Sequence, residues 1–142
     1  MSAPHVFRTR VYYEDTDAAG IVYYANYLKF AERARTEILR DAGIVQRALA
    51  EEMGVAFAVR SVSVEYLKPA RLDDALVVES TIVAVGGATA DGIQVVRRAE
   101  DGLELARVAV RLACIRLAGG QPARIPEAVR SALARHIVVT KA

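Results

Sequence analysis

The chain contains one long stretch of helical periodicity, and almost everything after it reads as strand. Tyr27, Phe30, Ala31, Ala34, Ile38 and Ala42 recur at the spacing of one helix face, within a helix expected from about Tyr23 to Ala42. Lys29, Glu32, Arg33, Glu37 and Arg40 take the other face, with Arg33 and Glu37 spaced to pair one turn apart. Gly43 stands where a left-handed residue would end the helix, and a shorter helical piece is expected from about Val45 to Met53. An apolar stripe of that length must be covered, and the partners that this chain offers are strands.

Val6 to Tyr13 supplies a first strand, rich in β-formers. After Gly54, "VAFAVRSVSVEYL" reads as a second strand. Its apolar phase shifts between Phe57/Val59 and Val62/Val64/Tyr66, which predicts a bulge or a strand buried on both faces. A polar turn, "KPARLDD", leads to a third strand, "ALVVESTIVAV". "GGATADG" reads as a loop before a fourth strand, "IQVVRRA", and "EDG" as a hairpin turn. In the fifth strand, "LELARVAVRLACIRL", one apolar face carries Ala106, Val108, Val110, Leu112 and Cys114, while Arg107 and Arg111 take the other. "IPEAVRSALARHI" reads as a short final helix with Pro126 near its first turn. One strand, one long helix and four strands joined by turns predict an α+β fold, with the helix laid on the sheet. The 142 residues, 54% of them apolar, form one domain over 1–142, with no internal repeat or linker.

The charge balance narrows the function. Nineteen basic residues face seventeen acidic ones, for a formal charge of +2, and the basic residues are spread out. That pattern excludes nucleic-acid binding through a general electrostatic field. No apolar run approaches the roughly 20 residues that span a bilayer, and the start lacks a signal-peptide core. The lone Cys114 sits in a strand-like run, which fits a buried thiol in a reducing, cytoplasmic setting. His5 and His136 lie near opposite ends of the chain, without cysteines or carboxylates at metal-ligand spacing, so no metal is expected. Gly86-Gly87 lacks the context of a phosphate-binding loop and reads as a turn.

"YYEDTDAAGIVYYANY", Tyr12 to Tyr27, is the stretch that invites a chemical reading. It crowds Glu14, Asp15 and Asp17 ahead of a small-residue turn and the start of the long helix. A helix start presents unpaired N–H groups that can hold a developing oxyanion. A carboxylate beside them can act as nucleophile or general base on a carbonyl carbon. Gly20 would let the backbone approach a ligand closely, and Tyr13, Tyr23, Tyr24 and Tyr27 would wall the site. That assembly suits acyl transfer without Ser, Cys or metal. The same residues also suit a second reading, in which the carboxylates only cap and solvate the loop and the tyrosines belong to the core.

The string "YYEDTDAAGIVYYANYLKFAERARTEIL" resembles the YbgC-like, Tol–Pal-associated acyl-CoA thioesterases, in the branch of the hotdog superfamily that contains 4-hydroxybenzoyl-CoA thioesterase. The resemblance continues through "FAVRSVSVEYLKPARLDDALVVES" and fades after about Leu117. It implies a hotdog fold, a five-stranded antiparallel β-sheet wrapped around one long α-helix. It also implies hydrolysis of short-chain or aryl acyl-CoA thioesters to free acid and CoA. The family's catalytic aspartate falls on Asp17, a family tyrosine on Tyr13, and the family asparagine on Asn26, where it would orient the loop. Many members carry histidine where this chain has Tyr24, in "VYYANY"; the hydroxybenzoyl-CoA enzymes have tyrosine there and are thought to use that residue's backbone N–H. Ala19 replaces a frequent glycine.

A substrate strip is expected at Gly20, Ile21, Val22 and Tyr23, and, on a weaker claim, Lys68, Arg71, Arg97 and Arg98 are candidates for the phosphates of CoA. No cofactor is expected, because the CoA thioester is the substrate. The family also implies a homo-oligomer, dimer or tetramer, and an acyl-carrier-protein thioester is the other substrate form weighed. Two other classes remain open at this level. One is a noncatalytic acyl- or partner-binding hotdog module of a cell-envelope system. The other is a hotdog hydratase, for which neither His5 nor His136 is well placed.

Overall fold

The computed structural model describes residues 2–138. Strand β1 (His5–Arg10) leads through a single 3-10 turn (Tyr13–Asp15) to the long helix α1 (Asn26–Asp41) and the short helix α2 (Gln46–Met53). Four strands follow, β2 (Val55–Tyr66), β3 (Ala75–Val85), β4 (Thr89–Arg98) and β5 (Glu104–Arg116), and then helix α3 (Glu127–Ala134). All neighbouring strands are antiparallel, in the order β1-β3-β4-β5-β2. This is the α+β hotdog arrangement, with α1 held in the curve of a five-stranded sheet.

The stripe of α1 is buried as its spacing requires: Tyr27, Phe30, Ala31, Ala34 and Ile38 all face inward. Two apolar clusters share the helix. Tyr27, Phe30 and Ala34 pack with Val11, Val22, Leu76, Val78, Val96 and Leu105. Ile38 and Leu39 pack with Val55, Ile82, Cys114, Ile125 and Val129 beneath α3. At the helix end Gly43 is left-handed, with φ +82°. Its N–H donates to Arg40 O at 2.9 Å, and the Ile44 N–H donates to Leu39 O at 2.9 Å, so the last carbonyls are satisfied in a Schellman closure. Arg40, rather than Arg33, is the cation that pairs with Glu37.

Three boundaries differ from the sequence expectation. β1 stops at Arg10 instead of Tyr13, because Asp15 turns back to accept the Tyr12 N–H at 2.8 Å and folds the next residues into the 3-10 turn. α1 begins at Asn26 instead of Tyr23, because Val22 and Tyr23 are held in extended pairing with Ala70 and Asp15. β4 begins at Thr89 rather than Ile93. Most of the anticipated loop zips into the ladder, and the chain reverses over Gly86–Ala88, closed by the Gly86 N–H to Thr89 O bond at 2.7 Å. The phase shift in β2 is a register slip against β5 between Val59 and Ser61.

Candidate active site

Residues 16–22 form a small hairpin at the end of the sheet where β1 finishes. Thr16 bridges Val22, the Asp17 N–H donates to Ile21 O at 2.9 Å, and the Gly20 N–H donates back to Asp17 O at 3.0 Å. Closing the turn in this way needs Gly20 at φ +76°, a conformation that costs glycine little. The hairpin docks on residues 70–72: the Val22 N–H donates to Ala70 O at 2.8 Å, and Ile21 bridges Arg71. Asp17 is exposed on this turn. Its Oδ1 accepts the Ala19 N–H at 2.8 Å, while Oδ2 accepts no hydrogen bond among the described residues. The carboxylate is therefore oriented by the turn and still has a free oxygen.

Asp15 is a structural brace. It is 5% exposed, and its two oxygens take different donors: the Tyr12 N–H at 2.8 Å and the Asn26 Nδ2 amide at 3.0 Å. Its carbonyl also accepts the Tyr23 N–H at 2.9 Å. Asn26 is itself buried at the first position of α1, so the expected loop-orienting role acts through Asp15.

The backbone hydrogen bonds around the helix start are informative. The N–H groups of Val22, Tyr23 and Asn26 are taken by Ala70, Asp15 and Tyr23 respectively. Those of Tyr24 and Ala25 have no acceptor among the described residues. Tyr23 is therefore removed as an oxyanion donor, and Tyr24 is the first open amide ahead of α1. The Tyr24 ring packs against Tyr23 (centroids 4.7 Å apart) and edge-on to Tyr66 (6.1 Å). The Tyr66 hydroxyl donates to Tyr24 O at 3.1 Å, pinning the peptide on the other side of that residue. Tyr27 turns inward, and its hydroxyl accepts the Ala70 N–H at 3.0 Å. Tyr13 is 82% exposed and stands clear of the aromatic group.

The four cations proposed for CoA phosphates divide into two pairs. Arg97 is bound to Glu79 and Glu104, and Arg98 to Asp101, so both guanidinium groups already have carboxylate partners. The Arg98 guanidinium holds the Asp101 carboxyl at about 2, well below the usual range. Lys68 and Arg71 are exposed and make no ion pair among the described residues. Arg71 also lies beside the Asp17 hairpin.

A cavity of about 240 Å³ lies between α1 and the middle of the sheet, with Phe57, Ile82, Val110 and Leu112 among its apolar walls and Arg35 and Gln94 at its polar end. Asp17 does not line it. β2 passes both places: Tyr66 at one end touches Tyr24, and Phe57 and Val59 near the other end line the cavity. At about 3.3 Å per residue these lie roughly 30 Å apart along one chain.

Several features of the site leave no mark in the sequence pattern. Asp15 looks like its neighbours Glu14 and Asp17 in sequence, and only its burial sets it apart. Tyr66 is a site wall that the helix pattern could not supply. His5 and His136, remote in sequence, are in edge contact at 5.2 Å, and His5 Nε2 pairs with Asp41 Oδ2 at 2.7 Å. This cluster ties β1 to the end of α1 and the turn after α3; no group of three potential metal ligands occurs among the described residues. Cys114 is buried, and burial pushes its thiol above the ordinary range. Among the described residues no helix is long and apolar enough to cross a membrane.

Comparison with known proteins bears on the family and the fold. The family model described as a thioesterase-like superfamily matches residues 11–133. The acyl-CoA thioesterase YbgC of Haemophilus influenzae is 44% identical over 126 residues, covering 89% of this chain and 91% of that protein. Among solved structures, a probable thioesterase from Bartonella henselae superposes with a TM-score of 0.82 at 37% identity, covering 87% of this chain and 100% of that one. The 1,4-dihydroxy-2-naphthoyl-CoA thioesterase of Synechocystis shares the fold, with a TM-score of 0.87 at 24% identity over 93% of this chain and 96% of that one.

Proposed function

The chain belongs to the YbgC-like acyl-CoA thioesterases of the thioesterase-like superfamily and is an acyl-CoA thioester hydrolase; on that premise we propose that Asp17 and the Tyr24 amide carry the reaction. The open Tyr24 N–H is the observation that supports this most. The N–H groups of Val22, Tyr23 and Asn26 are engaged, so the chain leaves those of Tyr24 and Ala25 open just ahead of α1, where the helix dipole adds positive potential. A thioester carbonyl oxygen accepting from the Tyr24 N–H is polarised, and charge developing on that oxygen is stabilised.

Asp17 then supplies the other half. Its free carboxylate oxygen either attacks the carbonyl carbon or takes a proton from the water that does. The C–S bond breaks, and CoA leaves as thiolate and gains a proton; where Asp17 has attacked, water then cleaves the acyl–aspartyl anhydride and restores the carboxylate, and by either route the carboxylic acid is released. Tyr23, Tyr24 and Tyr66 wall the thioester, Gly20 and Ile21 border it, and Lys68 with Arg71 meets the phosphates of CoA.

The site is completed by a second copy of the chain. β2 is an edge strand with Val59, Val62 and Tyr66 exposed at 49%, 42% and 48%. An edge of that length needs cover. Antiparallel pairing of two β2 strands about a two-fold axis sets Tyr66 of one copy beside Phe57 and Val59 of the other. It thereby brings the Asp17 hairpin of one copy to the cavity of its partner. The dimer is the working unit, in a cytoplasmic setting that keeps Cys114 reduced.

The direct test is release of CoA thiol from short-chain and aryl acyl-CoAs, with wild type and Asp17→Asn side by side. Turnover that collapses in Asp17→Asn supports the assignment, and near-wild-type turnover in that variant defeats it. Trapping of an acyl adduct on Asp17 during turnover selects attack by the carboxylate; its absence in rapidly quenched samples selects activation of water.

A further inference from the structure

The cavity beneath α1 is lined by a cation, Arg35, that no carboxylate contacts as an ion pair among the described residues. Arg35, partly buried on α1, donates from Nη1 to Gln94 Oε1 at 3.0 Å. Gln94, 1% exposed, is fixed by its own donations to Ala31 O at 2.9 Å and Ser80 Oγ at 3.0 Å. A guanidinium carries five N–H donors, and one of them accounts for this bond. No carboxylate forms an ion pair with Arg35 among the described residues. Nor are its other nitrogens among the sealed, partnerless side-chain atoms, which are His5 Nδ1 and Arg130 Nε.

Burial depresses the basicity of the Arg35 guanidinium, and the carboxylate of Glu32, which also lines the cavity, offsets this in part without forming an ion pair. Asp91, also in the cavity wall, is already bound by Arg111. An incoming anion that reaches the remaining N–H groups of Arg35 gains a charge-assisted bond.

We infer that this cavity takes short acyl groups ending in a carboxylate, with Arg35 as the specificity-determining contact to that carboxylate. The inference rests on the thioesterase reading, since the acyl group enters from the thioester held at the Asp17 hairpin of the partner copy. Size agrees with it: a dry cavity of about 150 Å³ holds a benzene ring, and about 240 Å³ suits a short dicarboxylic acid esterified to CoA at one end. A neutral acyl chain of the same length fills the apolar walls but leaves Arg35 unpaired.

The test compares glutaryl-CoA with pentanoyl-CoA, two acyl groups of equal carbon count that differ in the terminal carboxylate. Wild type should favour glutaryl-CoA in kcat/KM by on the order of 10- to 100-fold, the range of a hydrogen bond to a charged group. Arg35→Met should bring that ratio to about one, and Arg35→Lys should restore part of it. A wild-type preference for pentanoyl-CoA overturns the inference. So does an Arg35→Met variant that loses rate on both substrates with the ratio unchanged, which would mean that Arg35 serves only to hold Gln94. If neither thioester is hydrolysed, the catalytic reading fails, and the cavity is judged by binding. Free glutarate at millimolar concentration should then raise the thermal midpoint of wild type and leave Arg35→Met unmoved. No glutarate shift in wild type would overturn the assignment.

Discussion

Asp15 and Asn26 are joined by a buried hydrogen bond of 3.0 Å that closes an eleven-residue separation in the chain. It locks the hairpin bearing Asp17 to the first turn of α1. The link positions the backbone that the proposed reaction uses.

Removing the brace should therefore cost stability and rate together. Asp15→Ala leaves the part-buried Tyr12 N–H and the buried Asn26 amide without acceptors, for a loss of about 2–6 kcal/mol at about 1–3 kcal/mol per unsatisfied group. Denaturant unfolding should show a lower midpoint. Asn26→Ala should be milder in stability, with kcat falling more than KM rises. An unchanged kcat in a folded Asn26→Ala enzyme would show that the brace does not control the site.

Asp17→Asn should behave in the opposite way, with kcat down by at least about 100-fold and the unfolding midpoint within a small margin of wild type. The residue is exposed on its turn, and asparagine retains an oxygen for the Ala19 N–H. Circular dichroism and CoA release measured on one preparation would separate the two effects.

Tyr24→His should remain active. The donor assigned to the thioester is a backbone N–H that any residue but proline supplies, and the Tyr66 hydroxyl bonds to the carbonyl of residue 24 rather than to its ring. The measurement is CoA release across a chain-length series. Altered preference among acyl groups fits the lost ring contacts, whereas loss of all turnover would place the Tyr24 side chain in the chemistry.

The cations should sort by their partners. Lys68→Ala and Arg71→Ala should each raise KM for acyl-CoA by several-fold, with the effect shrinking at high salt. Arg98→Ala should leave KM close to wild type and act on Asp101 instead. The folded-state pKa of Asp101 is depressed to about 2, so the pair's contribution is complete above the unfolded value of about 3.9 and is lost as pH falls through about 2. Carboxyl titration by NMR should find Asp101 raised toward its ordinary value in Arg98→Ala, with the Leu103 N–H still holding it below. A large KM effect there would return Arg98 to the phosphate site.

The assembly can be tested at its edge. Val62→Lys puts a charge on the exposed middle of β2, a common natural guard against strand pairing. It should shift the protein toward monomer in sedimentation and abolish turnover, while the monomer retains its circular dichroism. Full activity in a demonstrated monomer would show that one chain suffices.

Much of this was legible in the order of residues. β3 spans Ala75–Val85, the same run that the β-formers mark, and α1 buries the stripe that its spacing defines. The start of α1 was not legible, because what delays it is tertiary: the Val22 and Tyr23 amides bond to Ala70 and Asp15. Asp15 and Asp17 could not be told apart by pattern, since both are carboxylates in one short loop. One is buried against Asn26 and the other faces solvent. The pairing of His5 with Asp41 depends on β1 and the end of α1 meeting in space, which no local spacing announces. Arg35 was hidden for the same reason, because its environment is made by Gln94 and Ser80 from the sheet.

The distance along β2 between Tyr66 and Phe57 has a genetic consequence. If the carboxylate comes from one copy and the acyl cavity from the other, the two functions can be broken in separate alleles. A subunit lacking the Asp17 carboxylate and a subunit with a blocked cavity would each be inactive alone. Mixed, they would rebuild one sound site in every heterodimer and concentrate both lesions in the other.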